Sequence, residues 1–144
     1  MATALGEPSY FTDENTLGLG KLMNRSGRQD VLYPGHEALP AVPLGTPDLQ
    51  WMPVIADLRV IVITRDRRIR SRPAELRAYW EFGVRSVWIG TKRDLAPIDQ
   101  LDLFLRHELR LRREITKLGD GPWALAMGET GLRPLQLRTP DAGR

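Results

Sequence analysis

With 144 residues the chain can bury the core of one ordinary domain and is short for two, and its lack of cysteine excludes a disulfide framework and any thiolate metal site. No apolar run approaches the twenty or so residues that span a bilayer, and "MATALGEPSY" has neither the basic nor the apolar region of a signal peptide, so a soluble cytoplasmic protein with no membrane partner is expected. The net charge of +3 is unevenly placed: residues 1–58 carry three basic and seven acidic side chains, residues 59–118 fifteen and eight, a bias that favours a polyanion such as nucleic acid and equally describes a solvated, arginine-rich helix surface.

In chain order, "SYFTD" (9–13) reads as a first strand that ends in Asp13, Glu14 and Asn15. A helix over Asn15 to Asn24 follows, weakened by Gly18 and Gly20 at about 1 kcal/mol each relative to alanine. "DVLYP" (30–34) is a second strand. Residues 34–47, with four prolines and two glycines, form a loop without regular structure. A helix opens near Asp48 with Trp51, Val54 and Ile55 inward, and "RVIVITRD" (59–66) is a nearly continuous apolar run, as in a strand covered on both faces.

"PAELRAYWEF" (73–82) has proline in its first turn and Gly83 after its last, both helix boundary signals. "RSVWIG" (85–90) is a fourth strand. The helix from Pro97 to Leu118 can gather Ile98, Leu101, Leu105, Leu111, Ile115 and Leu118 on one face, with Asp102–Arg106 and Glu108–Arg112 at i,i+4 on the other. "WALAM" (123–127) is the fifth strand, and the tail over 139–144 is expected to fray. Strands alternating with helices make this an α/β domain over residues 1–138.

In an open parallel sheet, groups at the carboxyl ends of strands flanking a topological switch point face one crevice. Asp13 and Asp66 both end strands. With a flavodoxin-like order the first strand neighbours the third, which brings these two aspartates together; Asp48 reaches the same rim if its helix runs back beneath it. Converging carboxylates raise one another's pKa at a cost in stability that a divalent cation removes, and Mg²⁺ or Mn²⁺ suits oxygen ligands where histidine is scarce and cysteine absent. The structural alternatives are an N-cap for Asp48 and local salt bridging for Asp66 within "DRRIR".

The series "FTDEN", "TPDLQWM" and "VIVITRDRRIR" resembles the PIN-like ribonucleases, in particular the compact group of VapC-type toxins. The resemblance implies a single-domain three-layer sandwich around a mostly parallel five-stranded sheet, with Asp13, Asp48 and Asp66 as catalytic metal ligands. It also implies a Mg²⁺- or Mn²⁺-dependent endoribonuclease, a hydrolase cutting RNA, held silent by a cognate antitoxin, and it is compatible with a homodimer. A fourth acid would be Asp94, which can equally cap the long helix.

Thr64 is placed to fix a carboxylate's orientation, Glu14 to assist bound water or face solvent, and Asn15 to cap the first helix. Arg65, Arg67, Arg68 and Arg70 surround Asp66 and can hold backbone phosphates of RNA. His36 and His107 read as surface or half-buried histidines, and the four tryptophans as core or interface. The competing functional class is a non-catalytic PIN-like module that binds RNA or protein. A phosphoacceptor receiver would share the sheet, but "WALAMGET" lacks the lysine it needs after the fifth strand.

Overall fold

A computed structural model describes residues 9–65, 72–91 and 94–140. Asp66, Arg67, Arg68 and Arg70, and the last four residues of the expected tail, lie outside the described residues.

The elements alternate as the apolar periodicity requires. They are β1 (Tyr10–Thr12), α1 (Leu17–Arg25) after a 3-10 turn at Glu14–Thr16, β2 (Val31–Leu32), α2 (Asp48–Leu58), β3 (Ile61–Thr64), α3 (Pro73–Phe82), β4 (Arg85–Ile89), α4 (Pro97–Leu118), β5 (Trp123–Gly128) and β6 (Gly131–Leu135). The sheet order is β2-β1-β3-β4-β5-β6; the first five strands are parallel and β6 runs antiparallel to β5. From β1 the chain goes outward to β2 and then returns to the other side as β3, so the switch point lies between β1 and β3 as the flavodoxin-like order predicts.

Period-two alternation sorts the strand side chains onto two faces. Tyr10, Ile61, Ile63, Val87 and Ile89 pack with Leu19 and Met23 of α1 and with Phe104, Leu111 and Ile115 of α4. Phe11, Val62, Trp88 and Ala124 pack with Trp51, Met52 and Ile55 of α2 and Tyr79 of α3. The result is an α/β three-layer sandwich. No helix among the described residues is long and apolar enough to cross a membrane.

The sheet has six strands rather than the expected five. The sixth contains Pro134, which reads as a strand breaker; it is accommodated because β6 is an edge strand, where a missing N–H costs no ladder bond on the open side. The third strand is also shorter than 59–66. Arg59 adopts a left-handed conformation (φ 58°) that closes α2, and the extended run begins only beyond it.

The long helix buries Leu111 and Ile115 and packs Leu101 against the core as expected, but its inward face is rotated from the expected one. Gln100, Leu103, Phe104, Leu111 and Ile115 face inward, while Ile98, Leu105 and Leu118 are exposed. Two apolar stripes compete at 3.6-residue spacing, and the bulkier one wins because Phe104 meets Tyr10 edge-on at 5.1 Å. That rotation also draws Glu108 to Arg28, which bridges it and Asp30 at 2.6 Å each. The Asp102–Arg106 and Glu108–Arg112 pairs form as expected, at 3.3 and 3.5 Å.

The proline-rich loop is irregular yet anchored. Leu39 and Val42 are buried under the α2 side of the sheet, and His36 Nε2 lies 3.2 Å from Asn24 Oδ1. Trp51, Trp88 and Trp123 are buried as expected, whereas Trp80 is exposed and donates to the Arg138 carbonyl at 2.8 Å.

Candidate active site

The parallel register pairs Thr12 with Ile63, which sets Asp13 beside Thr64 just past the carboxyl ends of β1 and β3. Asp13 is only 2% exposed and both of its oxygens are held: Thr64 Oγ1 donates to Oδ2 at 2.6 Å, and Thr16 Oγ1 lies 2.8 Å from Oδ1. Thr16 Oγ1 is also 2.8 Å from the Ile63 carbonyl, so its hydroxyl ties the 3-10 turn to β3. Asp13 makes no side-chain capping bond to this turn. Thr64 and Thr16, the latter not singled out from the sequence, thus both bond the Asp13 carboxylate.

Asn15 does not cap α1. Its Oδ1 accepts the Arg65 backbone N–H at 2.9 Å, which fixes the chain as it leaves β3 toward Asp66. Glu14 is exposed and accepts from the Gly45 N–H, holding the proline-rich loop rather than facing the Asp13 carboxylate.

On the other side of the crevice α2 runs antiparallel to the strands it connects, so its first residue, Asp48, lies at the carboxyl rim. Trp51 Nε1 donates to Asp48 Oδ1 at 3.0 Å, and Arg72 Nη1 stands 4.0 Å from Oδ2. The same guanidinium holds Glu75, in the first turn of α3, at 3.1 Å. Burial pushes the Glu75 carboxyl above its usual range and the neighbouring Asp48 charge adds to this, while Arg72 pulls the other way. Glu75 escaped the sequence reading. The signal was available in its position: a helix following a parallel strand starts at that strand's carboxyl rim.

One turn further along α3, the Tyr79 hydroxyl is fully buried and has no hydrogen-bond partner among the described residues. Burial raises its pKa, with further contributions from the charges of Asp13, Asp48 and Glu75. Ser86 Oγ lies close enough to lower it but makes no bond of normal geometry with the phenol; it accepts instead from Trp88 Nε1 at 2.7 Å. The charges of three carboxylates from three elements thus act on one buried hydroxyl.

Asp94 stands apart. It is exposed and lines a hollow of about 240 Å³ with Thr91, Asp99 and Asp102 on the α4 side. Nor does it cap the long helix, whose N-cap is Ala96 without a side-chain bond. Half-buried Arg65 is the part of the arginine run that the structure describes.

Among the described residues, no group of three or more histidine, aspartate or glutamate side chains lies close enough to hold one ion. The chemistry of the donor set nevertheless fits a hard divalent cation. The acidic side chains at the rim offer oxygen donors, threonine hydroxyls lie 2.6 and 2.8 Å from the two Asp13 oxygens, and burial raises the Glu75 carboxyl.

No curated protein and no solved structure matches the chain. The family model for the PIN-like domain matches residues 8–91, a span running from β1 through β4 that carries Asp13, Asp48, Thr64 and Glu75. Since this match covers more than half of the sequence and all the elements that build the acidic rim, the chain belongs to the PIN-like domain family.

Proposed function

We propose that this PIN-like domain is a metal-dependent endoribonuclease in which Asp13 and Asp48, joined by Glu75 and by Asp66 on the segment after β3, hold Mg²⁺ or Mn²⁺. The observation that carries this reading is the placement of Asp13, Asp48 and Glu75 at one carboxyl rim beside the β1/β3 switch point, with Arg72 Nη1 4.0 Å from Asp48 and 3.1 Å from Glu75. The bound cation would lower the pKa of a water and neutralise charge on the phosphodiester.

The chain's own residues supply the arrangement. Thr16 and Thr64 fix the Asp13 carboxylate, Trp51 fixes one oxygen of Asp48, and Arg72 orients Glu75. The arginines after β3 would hold backbone phosphates, which positions RNA without reading its sequence. Membership of the VapC-type toxins, with a small antitoxin as partner, is the finer form of this proposal; a neighbouring reading frame for a short DNA-binding protein would support it.

The hydroxyls already on Asp13 favour a second reading, a PIN-like module that binds without cutting. Cleavage of single-stranded RNA with Mg²⁺ or Mn²⁺, compared between the wild type and Asp13→Asn, Asp48→Asn and Glu75→Gln, decides between them. Metal-dependent cleavage that falls at least a hundredfold in the Asp13 variant is expected. Absence of both cleavage and Mn²⁺ binding in the wild type would leave the binding module.

A further inference from the structure

The β-sheet register extends the acidic rim in one direction. Thr64, which bonds Asp13, is paired with Trp88, Trp88 with Ala126, and Ala126 with Arg133. Residues directly opposite one another across neighbouring strands share a face, so this row crosses β3, β4, β5 and β6 on the α2/α3 side. At about 4.8 Å per strand, Arg133 lies about 14 Å from Thr64.

Between the two ends of the row is a hollow of about 250 Å³. Its floor is nearly free of side chains, being made of Gly90, Ala126 and Gly128, and its walls are Trp88 and Leu135. The small floor has a local cause. A Cβ on Gly128 would stand 3.3 Å from the Gly90 carbonyl, a tight contact that favours glycine where the strands end. Arg133 is exposed at the margin and forms no ion pair among the described residues.

We infer that this hollow seats one nucleobase of the RNA strand, a few nucleotides from the phosphodiester held at the acidic rim, with Arg133 on a phosphate beside it. The volume is below the roughly 300 Å³ at which pockets for whole drug-sized ligands begin, and so suits a base rather than a complete nucleotide. Apolar walls over an open backbone floor match the flat apolar faces and polar edge of a base, and an uncommitted guanidinium matches phosphate charge. The register places the hollow and the carboxylate site on one face of the sheet, with Thr64 and Trp88 buried between them. The inference rests on the nuclease reading for the identity of the strand.

The test is a binding series in Ca²⁺ with an eight-residue oligouridylate in which a single abasic residue is walked from end to end. Fluorescence anisotropy should show one position at which loss of the base weakens binding to the wild type by about tenfold, the scale of a single stacked base. Ala126→Leu, which fills the floor, should lower affinity for the intact strand by a similar factor and abolish the positional effect. Arg133→Gln should weaken intact and abasic strands alike and reduce the log–log salt slope by about 0.7. Equal binding of every abasic strand by the wild type overturns the base seat, as does failure to bind RNA, and neither result depends on how a variant folds. Hydrolysis of bis(4-nitrophenyl) phosphate by the wild type with Mn²⁺ reports on the nuclease reading alone, because that diester carries no base. Hydrolysis without a positional effect therefore removes the seat and keeps the nuclease; a positional effect without hydrolysis does the reverse.

Discussion

Asp13 shows how a buried charge can be both held and kept available. Two threonine hydroxyls hold the carboxylate, at 2.8 and 2.6 Å from its two oxygens. In Asp13→Asn the loss of a charge-assisted bond costs about 1.5–3 kcal/mol, partly offset by relief of like-charge repulsion, about 1 kcal/mol for one pKa unit. Urea denaturation without metal should therefore show a net loss of no more than about 2 kcal/mol, with the fold intact. Asp13→Ala should lose more, because Thr64 Oγ1 loses its 2.6 Å bond to a carboxylate and keeps only longer contacts such as that to Asn15 Oδ1 at 3.4 Å, while Thr16 keeps the Ile63 carbonyl. Tyr79→Phe separates the metal reading from a merely structural one. Deleting an unpartnered buried hydroxyl should raise the melting temperature in chelator, by the equivalent of about 1 kcal/mol. If that hydroxyl completes the shell of a bound ion, the stabilisation by saturating Mn²⁺ should shrink in the same variant. An unchanged Mn²⁺ increment would place Tyr79 outside the shell.

At the scale of elements, the site depends on how closely α1 lies on β1. Gly20 faces Thr12 across this contact, and a Cβ there would collide with the threonine hydroxyl. Glycine costs the helix about 1 kcal/mol of propensity relative to alanine, so Gly20→Ala would stabilise an isolated helix. In this protein it should instead destabilise by more than 1 kcal/mol, since the obstacle is a buried strand residue rather than the free end of a flexible chain. Adding Thr12→Ala removes the hydroxyl and methyl and should recover part of the loss. A double-mutant cycle by denaturant titration should give a coupling of at least about 1 kcal/mol, whereas additive effects would mean that the helix shifts freely. The Arg28 bridge from the β1–β2 side to Glu108 of α4 then fixes the outer layer against the same strands.

For the whole molecule, the charge asymmetry becomes a statement about affinity. If Arg67, Arg68 and Arg70 contact backbone phosphates, replacing all three with glutamine should weaken RNA binding across unrelated sequences. Each lost single-strand contact removes about 0.7 from the log–log salt slope, so three contacts flatten it by about 2. Measured in Ca²⁺ from low to moderate salt, an unchanged slope would take these arginines out of the RNA path. Mn²⁺ affinity, read by calorimetry on the same variant, should survive if, as proposed, carboxylates hold the ion.

By itself the sequence determined the alternation of strands and helices and the place of Asp13 at the end of the first strand, because these follow from local periodicity, proline and glycine boundaries, and strand-end position. The tertiary structure decided what competing local signals left open. Phe104 rather than Leu105 faces inward because Tyr10 offers an aromatic edge, and β6 holds Pro134 because its outer edge is unpaired. Glu75 joined Asp48 and Asp13 for the same kind of reason. Its surroundings in sequence describe an ordinary first helical turn, and only the antiparallel run of α2 and α3 against the strands brings both helix N-termini to the rim where Asp13 ends β1. Burial and electrostatic coupling are properties of neighbours distant in the chain, which no local pattern encodes.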